Sequence, residues 1–300
     1  VVTGLGNYGR TLVNDIAQYD AKLDLRLYAP DKGRDELRGQ IVAQDNVSFC
    51  YPHDSALPCA KAWWRTKGIV KDLIHDGVQI YHGLSGELPF GISKTNIRSV
   101  VTIHDLIFLR HPEYYHWIDT KIYTWKFLQT IKEADHIIAI SECTKRDIME
   151  FGEVDGSQIS VIYQSCAPRF GARSQEPGVR SQENRNRYIL SVGSIEERKN
   201  ILLAVKALPY LPEDLQLVIV GRHTKYTDVV QDYVQRHGLT QRVKILHGVK
   251  NEELPDLYAG AEAFVYPSVY EGFGIPIIEA ISTGLPVVAC TGSCLEEAGG

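Results

Sequence analysis

The sequence Tyr270-Glu-Gly-Phe-Gly-Ile-Pro-Ile-Ile-Glu279 holds two carboxylates, Glu271 and Glu279, eight positions apart around a Gly-x-Gly turn. Pro276 suits the first turn of a helix, because its fixed φ is already helical and no amide donor is needed there. The pattern predicts a helix over Ile277–Ser282. Glu271 then lies in a loop and Glu279 near the start of the helix.

The start of such a helix has unpaired backbone N–H groups, which bind phosphate and other anions. Here those groups belong to Phe273, Gly274 and Ile275. With a carboxylate on each side to accept hydrogen bonds from hydroxyls, the arrangement suits a ligand with a diphosphate in the middle and a sugar at each end. The plainer interpretation is a solvated Glu271 and a Glu279 that only interacts well with the helix dipole.

Composition indicates a soluble globular protein of two domains. The chain has 300 residues, too many for one ordinary core, with 44% hydrophobic and 23% charged residues. A net charge of −5 argues against nucleic acid as the main partner. No apolar run reaches the ~18 residues of a membrane-spanning helix. The six cysteines form no C-x-x-C pair, which favours reduced thiols and a cytoplasmic location.

Short β-branched runs alternate with amphipathic stretches, which predicts an α/β fold of parallel sheets with helices on both faces. Leu217-Val-Ile-Val220, apolar at successive positions, has the pattern of a buried parallel strand. The predicted strands are Asp24–Ala29, Val47–Tyr51, Val78–His82, Ser99–His104, His136–Ile140, Ile159–Tyr163, Tyr188–Val192, Gln216–Val220, Val243–Leu246, Ala263–Tyr266 and Pro286–Ala289. The other predicted helices are Arg10–Gln18, Ile118–Glu133, Glu142–Phe151, Ile201–Leu208, Asp228–Arg236 and Asn251–Ala259.

The break between the domains is predicted where apolar periodicity stops. Residues 169–187 are rich in Gly, Ser, Gln and Arg and repeat Arg-Ser-Gln-Glu at 173–176 and 180–183. This composition is typical of a solvated linker. The prediction is an N-terminal domain over residues 1–168, a linker over 169–187 and a C-terminal domain over 188–300.

Gly4-Leu-Gly-Asn-Tyr-Gly9 matches G-x-G-x-x-G, and Asp31 lies at a distance suited to holding a ribose, so a dinucleotide site is one interpretation. We favour another ligand on the same physics. Small residues at Gly4 and Gly6 let the backbone approach a diphosphate or a transferred sugar at a helix N-terminus. A plain strand-to-helix turn is the third interpretation.

His104 follows a predicted buried strand, at the edge where α/β folds bind ligands. Its imidazole could donate to a phosphate oxygen or a sugar hydroxyl, or simply bond a loop carbonyl. Asp105 would orient His104 or cap the next turn.

Arg198 and Lys199 follow the predicted strand Tyr188–Val192 and precede a predicted helix, for which Asn200 would be the N-cap. Two adjacent cations at a strand end can neutralise a diphosphate without a metal. Solvated loop cations are the plainer interpretation.

Aromatic and basic residues cluster in two predicted helical regions. Such residues usually pack in a core, but they could also line an acceptor groove or contact a bilayer surface. They are Lys61, Trp63, Trp64, Arg65, Lys67 and Lys71 in one region, and Tyr114, Tyr115, Trp117, Tyr123 and Trp125 in the other.

The stretch Glu271–Glu279 resembles the E-x(7)-E signature of retaining glycosyltransferases of the GT-B group called family 4. Four more segments resemble that family in the expected order: Gly4–Tyr8, Thr102–Leu106, Val192–Asn200 and Leu246–Val249. The Glu-Glu-Arg-Lys-Asn form is most similar to the mannosyltransferase B-like branch.

The resemblance implies a GT-B fold, in which two Rossmann-like domains have parallel sheets that face a central cleft. It implies a nucleotide-sugar donor held by the C-terminal domain, with Glu279 on the ribose and Glu271 on hydroxyls of the sugar. Arg198 and Lys199 would stabilise the leaving diphosphate. The base would be read by the backbone near Gly248 and Val249, and His104 with Gly4 and Gly6 would complete the sugar site.

Family members also imply retention, an acceptor that is a glycan or lipid-linked, and GDP-mannose as a possible donor. Many relatives carry Arg where Ser194 stands here, which would leave charge neutralisation to Arg198 and Lys199. No Asp-x-Asp motif is suitably placed, so we expect no cofactor and no required metal. With no dedicated nucleophile visible, the leaving phosphate itself would deprotonate the acceptor.

Other functions stay open at this point. They are a sugar-nucleotide epimerase or hydrolase of the same fold, a non-catalytic module that binds nucleotide sugars, and a nicotinamide-dependent dehydrogenase. Only Val1 and Val2 precede the Gly-rich turn, and the chain stops soon after its last predicted strand. We therefore expect truncation at both ends of a longer enzyme. That enzyme would work in the cytoplasm, with the inner face of the membrane as the alternative location.

Overall fold

A computed structural model describes residues 4–42, 44–52, 58–172 and 187–300. The chain divides into two compact units. The first unit comprises Val1–His104, Trp117–Ala139 and Asp147–Ile162, and the second comprises Asp105–His116, Ile140–Arg146 and Tyr163–Gly300. Three short segments that the sequence assigns to the N-terminal domain, 105–116, 140–146 and 163–168, thus group with the second unit. The predicted division at residues 168 and 188 stays a prediction.

The first unit contains two parallel sheets. The smaller pairs β1 with β2, and the larger has the order β3-β4-β5-β6. These strands are β1 Leu25–Tyr28, β2 Val47–Cys50, β3 Ile80–Gly83, β4 Arg98–Ile103, β5 His136–Ala139 and β6 Ile159–Val161. The helices in this part of the chain are α1 Gly4–Tyr19, α2 Asp35–Arg38, α3 Pro58–Trp63, α4 Ile69–His75, α5 Ile107–Arg110, α6 Trp117–Glu133 and α7 Glu142–Gly152, with a π-helical segment at Trp64–Gly68 between α3 and α4. Of these, α5 lies in the second unit and α7 begins there.

The second unit is built on a five-stranded parallel sheet of order β11-β10-β7-β8-β9. Its strands are β7 Tyr188–Val192, β8 Gln216–Val220, β9 Val243–Leu246, β10 Ala263–Tyr266 and β11 Val287–Ala289. Its remaining helices are α8 Arg169–Ala172, α9 Ile201–Ala207, α10 Lys225–Arg236, α11 Leu254–Ala259, α12 Ile275–Ser282 and α13 Leu295–Gly299. Short 3-10 turns in the chain lie at Ile92–Lys94, Pro112–Tyr114, Gly156–Gln158, Glu197–Lys199 and Leu208–Tyr210.

Both faces of the five-stranded sheet are covered by apolar side chains. On one face Val218 and Phe264 pack in a cluster with residues of α12 and α13, such as Ile277. On the other face Leu217 and Ile219 pack in a cluster with residues of α9 and α10. Successive residues of β8 therefore point into opposite cores, as predicted from its continuous apolar run.

Every predicted strand is present, within two residues of its expected bounds. The first helix was predicted too short: it begins at Gly4 and not at Arg10, so Gly4 and Gly6 lie in its first turns and not in a preceding turn. Glycine lowers helix propensity, which made this segment look like a loop. The helix after the Gly-x-Gly turn begins at Ile275, two residues earlier than predicted, with Pro276 in its first turn.

The predicted linker begins with structure. Its first residues form the short helix α8, in which the Phe170 side chain is fully buried and contacts the Tyr258 ring edge-on at 5.5 Å between centroids. Residues 173–186, with the repeated Arg-Ser-Gln-Glu, lie outside the described residues. None of the described helices combines the length and hydropathy needed to cross a bilayer.

We expect Phe170→Ala to lower the free energy of unfolding of the second unit by about 3–5 kcal/mol, because it removes a fully buried ring and leaves a cavity. Urea denaturation of the chain measures this value. Tyr210→Ala is the matched control, since the Tyr210 side chain is 90% exposed and should contribute little. Equal effects of the two variants would contradict the role of Phe170 as an anchor.

Candidate active site

The two charged segments of the candidate site meet at one edge of the five-stranded sheet. Arg198 and Lys199 follow β7, and Glu271 follows β10. These strands are parallel neighbours, so their carboxyl ends lie together. The Arg198 carbonyl accepts a 2.9 Å hydrogen bond from the Val269 amide, which ties the two loops to each other.

Glu271 lies between the two cations. Its Oε1 is 2.5 Å from Lys199 Nζ and its Oε2 is 3.0 Å from Arg198 Nη1. All three side chains are at most 15% exposed. Lys199 also donates to the Tyr266 hydroxyl at 2.7 Å, and Arg198 donates to the Tyr270 carbonyl. Two cations thus share one carboxylate, which leaves this buried site with excess positive charge.

The ionisation of the cluster follows from these contacts. Burial favours the neutral carboxyl of Glu271, but the charges of Lys199 and Arg198 prevail and lower its pKa below the usual value. Burial likewise disfavours the Lys199 ammonium, yet Tyr266 and Glu271 raise its pKa. Burial raises the pKa of Tyr266 to about 12, so its phenol stays neutral. The cluster therefore holds two positive charges and one negative charge at neutral pH.

The carbonyl groups of the loop after β10 are each held by a side chain. Arg198 donates to the Tyr270 carbonyl, the first of four in a row. Cys294 Sγ lies 2.9 Å from the second, of Glu271, and from the fourth, of Phe273. Ser141 Oγ donates to the third at 2.8 Å. Burial raises the pKa of the Cys294 thiol, which keeps it as an S–H donor. The four carbonyls belong to Tyr270, Glu271, Gly272 and Phe273.

The amide groups that follow are free to bind a ligand. The backbone N–H groups of Phe273, Gly274 and Ile275 donate to no acceptor within the described ranges. Gly274 has φ +124°, which disfavours other residues, and an added Cβ would lie 3.2 Å from the Leu295 side chain. The structure therefore contains the row of unpaired amides that the sequence predicts at the start of α12.

Glu279 lies one turn into α12, apart from the cluster of Glu271. Its Oε2 accepts a 2.9 Å hydrogen bond from the hydroxyl of Tyr258, whose side chain is fully buried. Burial raises the pKa of Glu279 to about 7, although the Tyr258 hydrogen bond and the charge of Arg169 act to lower it. Glu279 therefore changes charge near neutral pH.

Gly248 and Val249 lie beyond the carboxyl end of β9, at the same sheet edge but two strands away from β7. Gly248 is exposed, has φ +71°, and a Cβ there would meet no atom within 4 Å. Val249 packs against the apolar cluster beneath. The position has the open backbone that close approach of a flat ring requires.

His104, Gly4 and Gly6 belong to the first unit. A ring nitrogen of His104, Nε2, is 2.9 Å from the Leu84 carbonyl, which is the loop contact of the plainer interpretation. The Tyr8 ring of α1 meets the imidazole edge-on at 4.8 Å. The start of α1 and His104 are thus neighbours within this unit, and their predicted ligand roles stay predictions.

The structure corrects the predicted role of Asn200, decides between the two roles of Asp105 and adds a contact of Ser141. Asn200 is at the N-terminal end of α9, but its side chain makes no capping hydrogen bond and its backbone is left-handed, with φ +51°. Asparagine tolerates that conformation better than most residues, which explains its presence. Asp105 caps the next turn through the Ile107 amide at 3.2 Å. Ser141, just before α7, accepts from the Thr144 amide at 2.9 Å, which is the contact of a helix N-cap.

Tyr258, Tyr266 and Cys294 were not singled out from the sequence. Each contacts a site residue that is distant in the chain, and no local pattern signals such a pairing. Within the described part of the chain, no group of three or more His, Cys, Asp or Glu side chains could hold a metal ion.

Comparison with known proteins finds similar families and relatives along almost the whole chain. The family described as "Glycosyltransferase Family 4" matches residues 2–165, and "Glycosyl transferases group 1" matches residues 173–298. An O-antigen chain mannosyltransferase B from Escherichia coli is 34% identical over 97% of this chain and 74% of its own length. An O-antigen chain mannosyltransferase RfbU from Salmonella typhimurium is 32% identical over 63% of this chain and half of its own length.

Solved structures share the fold across almost the whole chain. Sucrose-phosphate synthase from Thermosynechococcus elongatus aligns with a TM-score of 0.76 and 21% identity, over 98% of this chain and 77% of that one. WaaG, a glycosyltransferase involved in lipopolysaccharide biosynthesis, aligns with a TM-score of 0.71 and 17% identity, over 95% and 77%. The predicted GT-B fold class, with its parallel α/β sheets, is confirmed. Since one family covers more than half of the chain and a relative is 34% identical along 97% of it, this protein belongs to the family 4 glycosyltransferases.

Proposed function

We propose that this glycosyltransferase moves mannose from a nucleotide diphosphate donor such as GDP-mannose to a glycan or lipid-linked acceptor, with retention. The inference that the donor contains a diphosphate rests on one observation. Arg198 and Lys199 are buried and share the carboxylate of Glu271, and the amides of Phe273–Ile275, a few residues after Glu271, donate to no acceptor among the described residues. Such a site has both the charge and the donors for a diphosphate. The two mannosyltransferase relatives support mannose as the sugar and polysaccharide synthesis as the pathway.

Each part of the donor would then have its own contacts in the second unit. The diphosphate would bind Arg198, Lys199 and the amides at the start of α12. The ribose hydroxyls would donate to Glu279, and the base would lie against the open backbone at Gly248 and Val249. Glu271, whose carboxylate is fixed by its two ion pairs, would accept from hydroxyls of the sugar.

Charge on the diphosphate grows as its bond to the sugar breaks, and buried cations stabilise that charge more than exposed ones do. Arg198 and Lys199 supply two such cations, so we propose a reaction that needs no metal and no other cofactor. With no protein nucleophile assigned, the leaving phosphate would take the proton from the acceptor hydroxyl. An acceptor-dependent product separates this transferase from an epimerase or a hydrolase, each of which would consume the donor alone.

One face of α6 supports peripheral contact with a membrane. It carries five apolar side chains, each 38–63% exposed, of which the last four are spaced three or four residues apart. They are Trp117, Ile118, Ile122, Trp125 and Leu128. Lys121 and Lys132 fall on the same face, which has no acidic residue, and Lys121 Nζ lies 4.9 Å from the centroid of the Trp117 ring. Apolar anchors with interspersed lysines suit the surface of an anionic bilayer.

Glu279 should make donor binding depend on pH. A carboxylate accepts from ribose hydroxyls better than a neutral carboxyl does, and the pKa of Glu279 is about 7. Nucleoside diphosphate affinity should therefore rise between pH 6 and pH 8 more steeply in the wild type than in Glu279→Gln. At pH 8 the variant should bind roughly 10- to 100-fold more weakly. Calorimetry at each pH measures both.

Subtracting the Glu279→Gln profile removes the ionisation of the ligand itself. Tyr258→Phe gives a second test, because it removes a hydrogen bond that lowers the pKa of Glu279. The midpoint of the pH dependence of nucleoside diphosphate affinity should therefore move to higher pH in this variant. Parallel profiles for the wild type and Glu279→Gln would exclude Glu279 from the ribose site.

Lys199→Ala should lower kcat by about 100- to 1000-fold while weakening donor binding much less, because its charge acts chiefly on the departing diphosphate. Initial rates across donor concentrations separate the two effects. The variant keeps the Arg198–Glu271 ion pair, so the buried charges that remain are balanced and the fold should be retained, which thermal unfolding of the variant checks. A loss confined to KM would assign Lys199 to ground-state binding only.

The α6 face should bind vesicles that contain phosphatidylglycerol. Trp117→Ser/Trp125→Ser should reduce co-sedimentation at least about tenfold, since two large anchors are lost. The matched control is Tyr19→Ser/Tyr210→Ser, which removes two aromatic side chains that are 91% and 90% exposed elsewhere. Equal binding by both double variants would rule out this face as the membrane contact.

A further inference from the structure

The first unit contains a cavity of about 360 Å³ at the carboxyl ends of β1 and β2. Its walls include Ala29, directly after β1, and Tyr51, directly after β2. Helices α1 and α2 contribute Arg10 and Arg38. The carboxyl ends of parallel strands are the usual ligand-binding edge of α/β folds, and this volume is in the range of small-molecule sites. Of the candidate residues named above, it contains Asp31 but none of those assigned to the donor. We call it the basic cavity.

Positive charge dominates the walls of the basic cavity. They carry four cations, Arg10, Lys32, Arg34 and Arg38, against a single carboxylate. That carboxylate, Asp31, already accepts from Lys61 Nζ at 3.0 Å, and this contact with Lys61 lowers its pKa. Asp31 therefore adds little to balance the four cations.

The individual cations have few partners of their own. Lys32 and Arg34 are exposed and make no ion pair in the part of the chain that the structure describes. The nearest acid to Arg38 is the almost fully exposed Asp35, at 3.8 Å. The positive charges of Lys32 and Arg34 are thus available to a ligand. The chain as a whole carries −5, so this concentration of cations is local.

Two buried polar groups at the cavity lack a hydrogen-bond partner among the described residues. They are Arg38 Nε and the Tyr51 hydroxyl. The Arg38 guanidinium lies over the Phe49 ring at 4.7 Å from its centroid and near the Tyr51 ring at 5.9 Å, which fixes its plane. A buried donor without an acceptor costs free energy, so both groups fit a ligand that supplies acceptor oxygens.

We propose that the basic cavity binds the phosphate or diphosphate group of the acceptor. Arginine guanidinium groups bind phosphate oxygens in pairs, and four cations around one small cavity suit a compact anion of more than one charge. Leu37, Ile41 and Phe49 add apolar wall for the carbon part that the phosphate carries. The assignment to the acceptor rests on the proposed transferase function, whereas anion binding by the cavity does not.

Calorimetric titration with inorganic pyrophosphate tests anion binding directly. Saturating GDP is included, so that the site at Arg198 and Lys199 is occupied. Lys32→Ala/Arg34→Ala should weaken pyrophosphate binding at least about tenfold. Lys22→Ala/Lys206→Ala is the matched control, because it removes the same charge from two exposed lysines outside the cavity and should bind as the wild type does. Tyr51→Phe, which keeps the ring, should also weaken binding. Equal pyrophosphate affinity in the cavity variant and the control overturns the proposal.

Two further ligands identify the source of the phosphate. Farnesyl diphosphate stands for a lipid-linked acceptor and glucose 1-phosphate for a soluble sugar phosphate. At least one of them should compete with pyrophosphate in the wild type and not in Lys32→Ala/Arg34→Ala. Competition by neither would overturn the acceptor assignment. GDP affinity should be the same in both double variants, so a failure of the donor site appears separately, as GDP that does not bind to any form of the protein.

Discussion

The buried contact of Glu271 with Arg198 and Lys199 is the constraint on which the candidate site depends. Removing charges from water is costly, and two buried cations without a counter-ion would repel each other and favour loss of a proton from Lys199. Glu271 prevents this, and it joins the loops after β7 and β10 at the sheet edge. Because one carboxylate balances two cations, the site stays charged and still attracts an anion.

The same contact orients the backbone next to it. Arg198, held by Glu271, also donates to the Tyr270 carbonyl, Ser141 donates to the Gly272 carbonyl, and the Cys294 thiol lies 2.9 Å from the carbonyls on either side of Gly272, so that its one proton can be donated to either. A peptide carbonyl and its amide point in opposite directions, so fixing the carbonyls also fixes the direction of the amides that follow. These side chains thus orient the amides of the loop, which would lower the cost of binding the proposed diphosphate.

The sequence allowed the elements to be predicted because their signals are local. Strand β8 was found from four successive apolar residues, and α12 from Pro276 after a Gly-x-Gly turn. Membership of Arg198, Lys199 and Glu271 in one site was implied by the family resemblance. Their mutual ion pairs were not, because these join residues more than seventy positions apart. The left-handed Asn200 and the helical Gly4 were missed, because residue propensity alone does not determine backbone conformation.

Glu271 and Glu279 show how environment gives one residue type two behaviours. Both are largely removed from water, which favours the neutral carboxyl in each case. Glu271 meets two cations and stays ionised, whereas Glu279 meets mainly the neutral hydroxyl of Tyr258 and has a pKa of about 7. A fixed charge is therefore placed beside the cations, where losing it would leave them unbalanced. Glu279, whose carboxyl can lose its charge, lies apart from the two cations and accepts a hydrogen bond from the Tyr258 hydroxyl. Glu279 can thus take up a proton near pH 7 while the charge balance around Lys199 is kept.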